Sequence, residues 1–513
     1  MAHAQQKMLV YFTDKGNDAI TQLQHPENFL SQASIERRLI CNASFDMLDV
    51  PVSKEYIAAL QLNQGIVLST SKWLNAALVS TSFDNIHTLL SLPFVAGIQV
   101  WDEYQMPLKH TASTQSVYNY GSATAQITML NLDKIHDQGF TGNNILISVC
   151  DGGFNNVNTL GCFQYVRSNN RIKATRDFVN DDGDVYADDM HGEEVFSILA
   201  AKVDGGVIGS GFDANFLLAR TENVSSETHA EEYNWVRASE WADSMGARII
   251  QSSLGYNDFD AGINYAPSDM NGRTAIITQG AVIATRKGIV IVNSAGNEGD
   301  KPFRKITAPS DADSILCVGS VNTAQNRVSN SGQGPSADGR IKPDVMAVGG
   351  GTAYYNNTNT IAFGTGTSFA SPIIAGFCAC LMQKYKYVTN IELINAVKRS
   401  ADRYSTPDTF YGYGIPNALI ADTILANLSK GRGIYINTNS FESIIKNSIV
   451  DDGSLKLLLP VGEAIDAQIF NVSGAQVMQC KVPNSNEIQI TGLSSGMYYL
   501  KINGYFAGKF IKQ

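Results

Sequence analysis

Four polar residues have the types and the setting that acyl transfer requires. The first is Ser368, in the run Gly364-Thr-Gly-Thr-Ser-Phe-Ala-Ser-Pro372. An apolar stretch without a polar face follows at 373–382, which predicts a helix buried all round. A serine at the start of such a helix lies at the positive end of its dipole, among free backbone N–H groups. Pro372 is expected in the first turn, where its missing N–H costs nothing. Taken alone, Ser368 could equally be a simple N-cap. Nucleophilic serine chemistry also needs a base, a carboxylate to orient that base, and donors for an oxyanion. Of the seven histidines, His191 alone opens an apolar helical run in a His-Gly context. Asp151 ends the apolar run Ile-Leu-Ile-Ser-Val-Cys and is followed by two glycines, which suits an orienting carboxylate. Asn297 follows Ile-Val-Ile-Val-Asn-Ser-Ala-Gly and can offer a side-chain N–H beside the backbone N–H of Ser368.

These groups need elements to hold them. Apolar strands at 145–150, 216–219, 248–251, 289–293 and 315–318 alternate with helices at 229–245 and 274–287. That pattern predicts an α/β unit over 126–427, a parallel sheet with helices on both faces. Chemistry in such sheets collects at the carboxyl ends of the strands, which is where Asp151, Ser253-Leu254-Gly255, Asn297 and His191 fall. Residues 1–107 read β-α-β-β-α-β, a small α+β ferredoxin-like arrangement, with Ser53 capping its first helix. Residues 27–48 fit none of its elements. Residues 108–125 are polar and turn-rich, an exposed linker open to cleavage. From 428 to 513 short strands alternate with Asp-Gly, Ser-Gly and Asn-Gly turns, a small all-β sandwich.

Composition narrows the partners. With 44% hydrophobic and 17% charged residues, the chain reads as globular. A net charge of −10 argues against nucleic acid as a partner. No apolar run reaches the ~20 residues of a membrane helix, so no transmembrane segment is expected. The seven cysteines are scattered and odd in number, with no Cys-x-x-Cys pair, which argues against a zinc site and leaves their pairing open. The first residues contain no apolar signal core, so no export signal is expected in this chain.

The order Asp, His, Ser is one of three known for this geometry. Together, Ile-Ser-Val-Cys-Asp151-Gly-Gly, His191-Gly-Glu-Glu-Val, Asn293-Ser-Ala-Gly-Asn297-Glu-Gly and Gly366-Thr-Ser368-Phe-Ala-Ser-Pro372 resemble the motifs of the subtilisin-like serine proteases, over roughly 120–425. The resemblance implies a serine endopeptidase with Asp151, His191 and Ser368 as its triad and Asn297 at the oxyanion. It needs no cofactor for the chemistry and acts on protein or peptide substrates. The competing reading is a catalytically silent subtilase-fold binding protein. Two positions depart from the family pattern: Gly152 replaces a hydroxyl residue, and Glu193 replaces a threonine. Glu193 is expected to add charge near His191 and raise its pKa.

The family likeness further implies that Ser253-Leu254-Gly255 pairs with an extended substrate backbone. Ser294-Ala295-Gly296 would line a roomy first pocket with no charge to fix specificity. Structural calcium is implied at the carboxylate-rich loop holding Asp181, Asp182 and Asp184, whose bland reading is a solvated turn. The N-terminal unit resembles the subtilase propeptide, an intramolecular inhibitor whose tail passes through the cleft. The C-terminal unit resembles the sorting domain of the type IX secretion system of Bacteroidetes, in 467–474, 493–502 and 508–512. A secreted or cell-surface zymogen is therefore expected.

Overall fold

A computed structural model describes residues 5–41, 43–82, 85–100, 118–386, 388–430, 449–450, 453–456, 466–472, 475–482, 487–502 and 505–512. The N-terminal unit contains β1 (Gln5–Phe12), α1 (Ala19–Leu23), α2 (Gln32–Cys41), α3 (Lys54–Leu62), β2 (Ile66–Ser71), β3 (Ala76–Ser82), α4 (Ile86–Leu90) and β4 (Val95–Val100). Its antiparallel sheet has the order β2-β3-β1-β4, the ferredoxin-like order that the sequence pattern predicts. Ser53 caps α3 through the Tyr56 N–H at 3.4 Å. The segment the pattern could not place, 27–48, contains α2 and with α1 forms a helical insert between β1 and α3.

The chain then enters the α/β unit through α5 (Thr124–Thr128) and α6 (Leu132–His136). The end of the expected linker, 118–125, is not exposed linker. Tyr120 is fully buried and its hydroxyl lies 2.6 Å from His136 Nδ1, so 118–125 belongs to the core. The remainder, 108–117, lies outside the described residues.

Next come β5 (Leu146–Asp151), α7 (Gln164–Ser168), β6 (Ile172–Asp177), α8 (His191–Ala200), β7 (Asn215–Arg220), α9 (His229–Met245) and β8 (Ile249–Ser252). They are followed by α10 (Ile276–Arg286), β9 (Val290–Ser294), β10 (Leu316–Asn322), β11 (Val345–Tyr355), β12 (Ile361–Thr365), α11 (Thr367–Lys384), α12 (Asn390–Arg399) and α13 (Ala418–Lys430). The eight strands form one sheet, β12-β11-β10-β9-β8-β5-β7-β6, parallel except for the β11–β12 pair. Strand alternation divides its apolar side chains between two cores. Ile147, Val149, Leu218, Val290 and Val292 join α8 and α11 on one face. Cys150, Leu217, Ala219, Ile250 and Ile291 join α9 and α10 on the other. Burial on both faces explains why these strands read as continuous apolar runs. α13 continues to Lys430, past the boundary expected at 427.

The C-terminal unit has β13 (Ile449–Val450), β14 (Ser454–Lys456), β15 (Asp466–Asn471), β16 (Gln476–Lys481), β17 (Glu487–Gln489), β18 (Gly496–Ile502) and β19 (Tyr505–Lys512). A five-stranded sheet, β13-β19-β18-β15-β16, and the pair β14-β17 enclose Leu455, Ile469, Ile488, Ile490, Leu500 and Phe510. This is the expected small sandwich.

Candidate active site

Ser368 is the second residue of α11, and every residue from Thr367 to Met382 is buried. Pro372 is not in the first turn: the helix starts at Thr367, so the proline sits inside it. A proline there removes the N–H that would bond the Ser368 carbonyl one turn back. The Ser253 hydroxyl supplies the missing donor, reaching that carbonyl at 2.7 Å. In return, the Ser368 hydroxyl donates to the Ser253 carbonyl at 3.2 Å. The nucleophile candidate is thus tied on both sides to the end of β8. Among the described residues no hydrogen bond joins Ser368 Oγ to His191, whose ring lies 6.2 Å from that of Phe369. Such bonds commonly tighten only when substrate is bound.

His191 is the first residue of α8, and its Nδ1 lies 2.8 Å from Asp151 Oδ1 at the end of β5. This approach requires glycine at 192, since a Cβ there would meet the Gly153 carbonyl at 2.1 Å and the Asp151 Cβ at 2.8 Å. Asp151 Oδ1 also accepts the Gly152 N–H at 2.9 Å, while its buried Oδ2 has no partner. That orphan is where the absence of a hydroxyl at 152 is felt. The space beside Gly152 is taken by Asp189, whose Oδ2 would stand 2.8 Å from a Cβ at 152.

Three carboxylates therefore surround the base. Burial pulls the His191 pKa down, but the charge and hydrogen bond of Asp151, then Asp189 and Glu222, outweigh it and push it up to about 10. Burial raises the Asp151 carboxyl, and His191 draws it back. Burial and the Asp151 charge lift Glu222 to about 7, against the pull of His191. Glu193 does not play the expected part. Its side chain is fully buried with both oxygens unpartnered, and burial followed by Glu194 pushes it up to about 8, so it is largely neutral at pH 7. The added charge beside His191 comes from Asp189 and Glu222.

Asn297 Oδ1 accepts the Thr367 N–H at 3.0 Å and the Thr367 hydroxyl at 3.1 Å. A backbone N–H must meet an oxygen, which fixes the amide and leaves Nδ2 for the cleft. That cleft, of about 540 Å³, is lined by Asn297, Ser368, Ser253, Leu254, Gly255, Ser294 and Gly296. Ala295 is not part of it; this residue is buried with Ile306 and Cys317. Thr307 also lines the cleft with a buried hydroxyl that lacks a partner. The wall carries charge, contrary to the sequence expectation: Glu227, Asp258, Asp260 and a Glu298–Lys301 pair 2.7 Å apart. Burial, then neighbouring Glu222 and Asp260, push Glu227 up to about 8.

The candidate calcium residues do not converge. Asp182 accepts the Asp184 N–H at 2.9 Å, and Asp184 accepts the Tyr186 N–H at 2.8 Å. Asp181 adopts the left-handed conformation at φ 57°. These carboxylates cap their own turns, and no group of three or more His, Cys, Asp or Glu suited to a metal occurs among the described residues. The arrangement does not fit a calcium cage.

Sequence reasoning missed Glu222, although it lies two residues past the end of β7, on the catalytic rim. Asp189 gave no such signal, because its place beside Gly152 depends on a loop path without periodicity.

Residues 142–414 match the subtilase family, more than half of the chain. The chain belongs to the subtilase family. Residues 7–117 match the peptidase S8 propeptide domain of Bacteroidota, and residues 452–512 match a secretion-system C-terminal sorting domain. Among curated subtilases, the chain is 27% identical over 364 residues to subtilisin amylosacchariticus of Bacillus subtilis subsp. amylosacchariticus, covering 70% of this chain and 83% of that one. It is 29% identical over 297 residues to subtilisin DY of Bacillus licheniformis, covering 57% and 95%. The alkaline protease of Alkalihalobacillus alcalophilus is 25% identical over 293 residues, covering 57% and 68%. This subtilase thus has its family's propeptide and a sorting tail, the make-up of a secreted or cell-surface protease zymogen. No helix among the described residues is long and apolar enough to cross a membrane.

Proposed function

We propose that this subtilase is a serine endopeptidase in which Ser368 Oγ attacks the scissile carbonyl. His191 Nε2 takes the serine proton and returns it to the leaving amine. Asp151 holds the ring through Nδ1 and stabilises the imidazolium. Asn297 Nδ2 and the Ser368 N–H receive the oxyanion. The observation that carries this reading is the 2.8 Å Asp151–His191 bond, with the His191 ring 6.2 Å from that of Phe369, the residue after Ser368, which lines the cleft with Asn297. Substrate would lie extended along Ser253–Gly255, with Thr307, Ser294 and Gly296 around its side chain. The chemistry calls for no cofactor. Residues 1–107 would act as the intramolecular inhibitor, 126–427 as the catalytic unit and 428–513 as the sorting unit, with the processing bond in 108–117.

The second reading, a silent binding protein, draws on the Ser368 hydroxyl donating to Ser253 rather than to His191. A fluorophosphonate probe applied after propeptide removal separates the two. The protease reading expects a covalent adduct on Ser368 that is abolished by His191→Ala. A folded, processed protein that stays unlabelled and leaves peptides uncut establishes the binding reading.

A further inference from the structure

The insert between β1 and α3 presents two faces, and each is already covered. On α2, residues three and four apart share a face, so Ser34, Arg37, Arg38 and Cys41 form one side while Ile35 and Leu39 form another. The polar side meets the catalytic unit at the C-terminal ends of α9 and α10. Arg37 pairs with Asp243 Oδ1 and donates to the carbonyls of Ala247 at 2.8 Å and Lys287 at 3.0 Å. Arg38 bridges Asp243 Oδ2 at 2.5 Å and Asp49. Lys287 closes the ring onto Asp46 at 2.9 Å and Asp49 at 3.0 Å. The side chains of Arg37, Arg38, Asp49 and Asp243 are fully buried. Cations at helix C-termini also meet the negative end of the dipole.

The apolar side of the same insert is covered by the sorting domain. Leu30, Ile35, Leu39 and Phe45 form one buried cluster with Phe470 and Tyr499. Those two residues are direct cross-strand partners on β15 and β18. Their chain neighbours Ile469, Tyr498 and Leu500 point the other way, into the core of the sandwich. The sheet therefore has a second apolar face, outside its own core, with Tyr499 fully buried and Phe470 8% exposed. Lys501 extends that face, its Nζ 5.1 Å from the Phe470 ring. Among the described residues, the catalytic unit contributes none to this cluster.

We propose that the propeptide insert 27–49 is the docking platform of the sorting domain. It is anchored to the catalytic unit by the buried Arg37–Arg38–Asp243 network, and it seats the Phe470–Tyr499 face of the sandwich on its apolar side. The Phe470–Tyr499 face is thus seated on a part of the zymogen that maturation removes, and loss of the propeptide uncovers Phe470 and Tyr499. That last consequence rests on the zymogen reading, whereas the seat itself does not.

The test is hydrogen exchange on the full chain carrying Ser368→Ala, so that self-processing plays no part. Adding Leu39→Asp should speed amide exchange in β15 and β18 at least tenfold while leaving α9 and the β5–β8 strands unchanged. Unchanged exchange in β15 and β18 would overturn the proposal. If Leu39→Asp perturbs the propeptide as a whole, Tyr499→Ser approaches the seat from the other side. It should deprotect residues 30–45 while the sandwich strands β16 and β17 keep their protection, and protection retained at 30–45 counts against the seat. In the wild-type chain, a cut propeptide with β15 and β18 still protected would refute the release alone. A chain that never cuts itself bears on the protease reading and not on the platform.

Discussion

Replacing Asp243 with alanine should loosen the propeptide and leave the mature catalytic unit alone. Among the described residues, every side chain bonded to its carboxylate comes from the propeptide: Ser34, Arg37, Arg38 and Lys72. Once the propeptide is gone, Asp243 becomes a solvated carboxylate on α9 with nothing left to hold. In the zymogen its removal strands two guanidinium groups in a dry interface. Breaking a buried pair from one side costs about 3–5 kcal/mol, because the remaining charge stays buried. Arg38 retains Asp49, and the Arg37 donors retain two carbonyls, which places the expected loss near the lower end. At about 1.4 kcal/mol per tenfold, a loss of about 3 kcal/mol is roughly a 150-fold shift toward the open state. Hydrogen exchange of α2 and β2 in a Ser368→Ala background reads this free energy directly. A change below about 1 kcal/mol would show that water already screens the pairs, and the reasoning would fail. The same network should survive mild acid. The guanidinium groups beside Asp243 hold its carboxyl far below the usual carboxylate range, against the cost of burial. A depressed folded value gives stability that is present above about pH 4 and lost only as pH falls through that lower value, so pH 5 should not release the propeptide.

Three further outcomes follow from the cleft. Asn297→Ala should lower kcat by about 100- to 1000-fold with KM little changed, a size carried over from the same donor in subtilisin rather than worked out from this geometry; unchanged turnover would remove Asn297 from the oxyanion. His191 must be neutral to accept a proton, and its raised pKa means activity climbs with pH toward about 10. Asp189→Asn and Glu222→Gln each remove a charge that favours the imidazolium, so each should move the acid limb of the kcat/KM profile to lower pH, and an unmoved limb would contradict the assigned cause. The carboxylates of Asp258 and Asp260 should make kcat/KM higher for peptides with lysine or arginine on that side of the cleft than for their glutamate counterparts, with the gap shrinking in 1 M salt as screening cuts in; a salt-independent ratio would mean that the carboxylates do not face the substrate.

Much of this architecture was legible because apolar periodicity and strand-end chemistry are local signals. The strands ending at Asp151 and leading to Asn297 announced themselves as continuous apolar runs, since both faces of the sheet are covered. The buried helix behind Ser368 was legible for the same reason. Pro372 was misplaced by one turn because helix starts carry little signal when a glycine, Gly366, precedes them without a side-chain cap. The charge around His191 was assigned to Glu193 on sequence adjacency, whereas the fold turns that residue into the core and brings in Asp189 and Glu222 from other loops. Residues 27–48 read as patternless because their helix divides its surface between a buried charge network and an apolar seat. Neither face looks like the solvent-facing side on which amphipathic patterns rely.

The central claim is that Ser368, His191 and Asp151 cut peptide bonds, beginning with the chain's own. Intact mass and N-terminal sequencing over time, on wild type beside Ser368→Ala, test it most directly. The account predicts that wild type alone loses its first domain, with the new N-terminus falling in 108–118. Two chains that both remain whole, or that are cut alike, would contradict it.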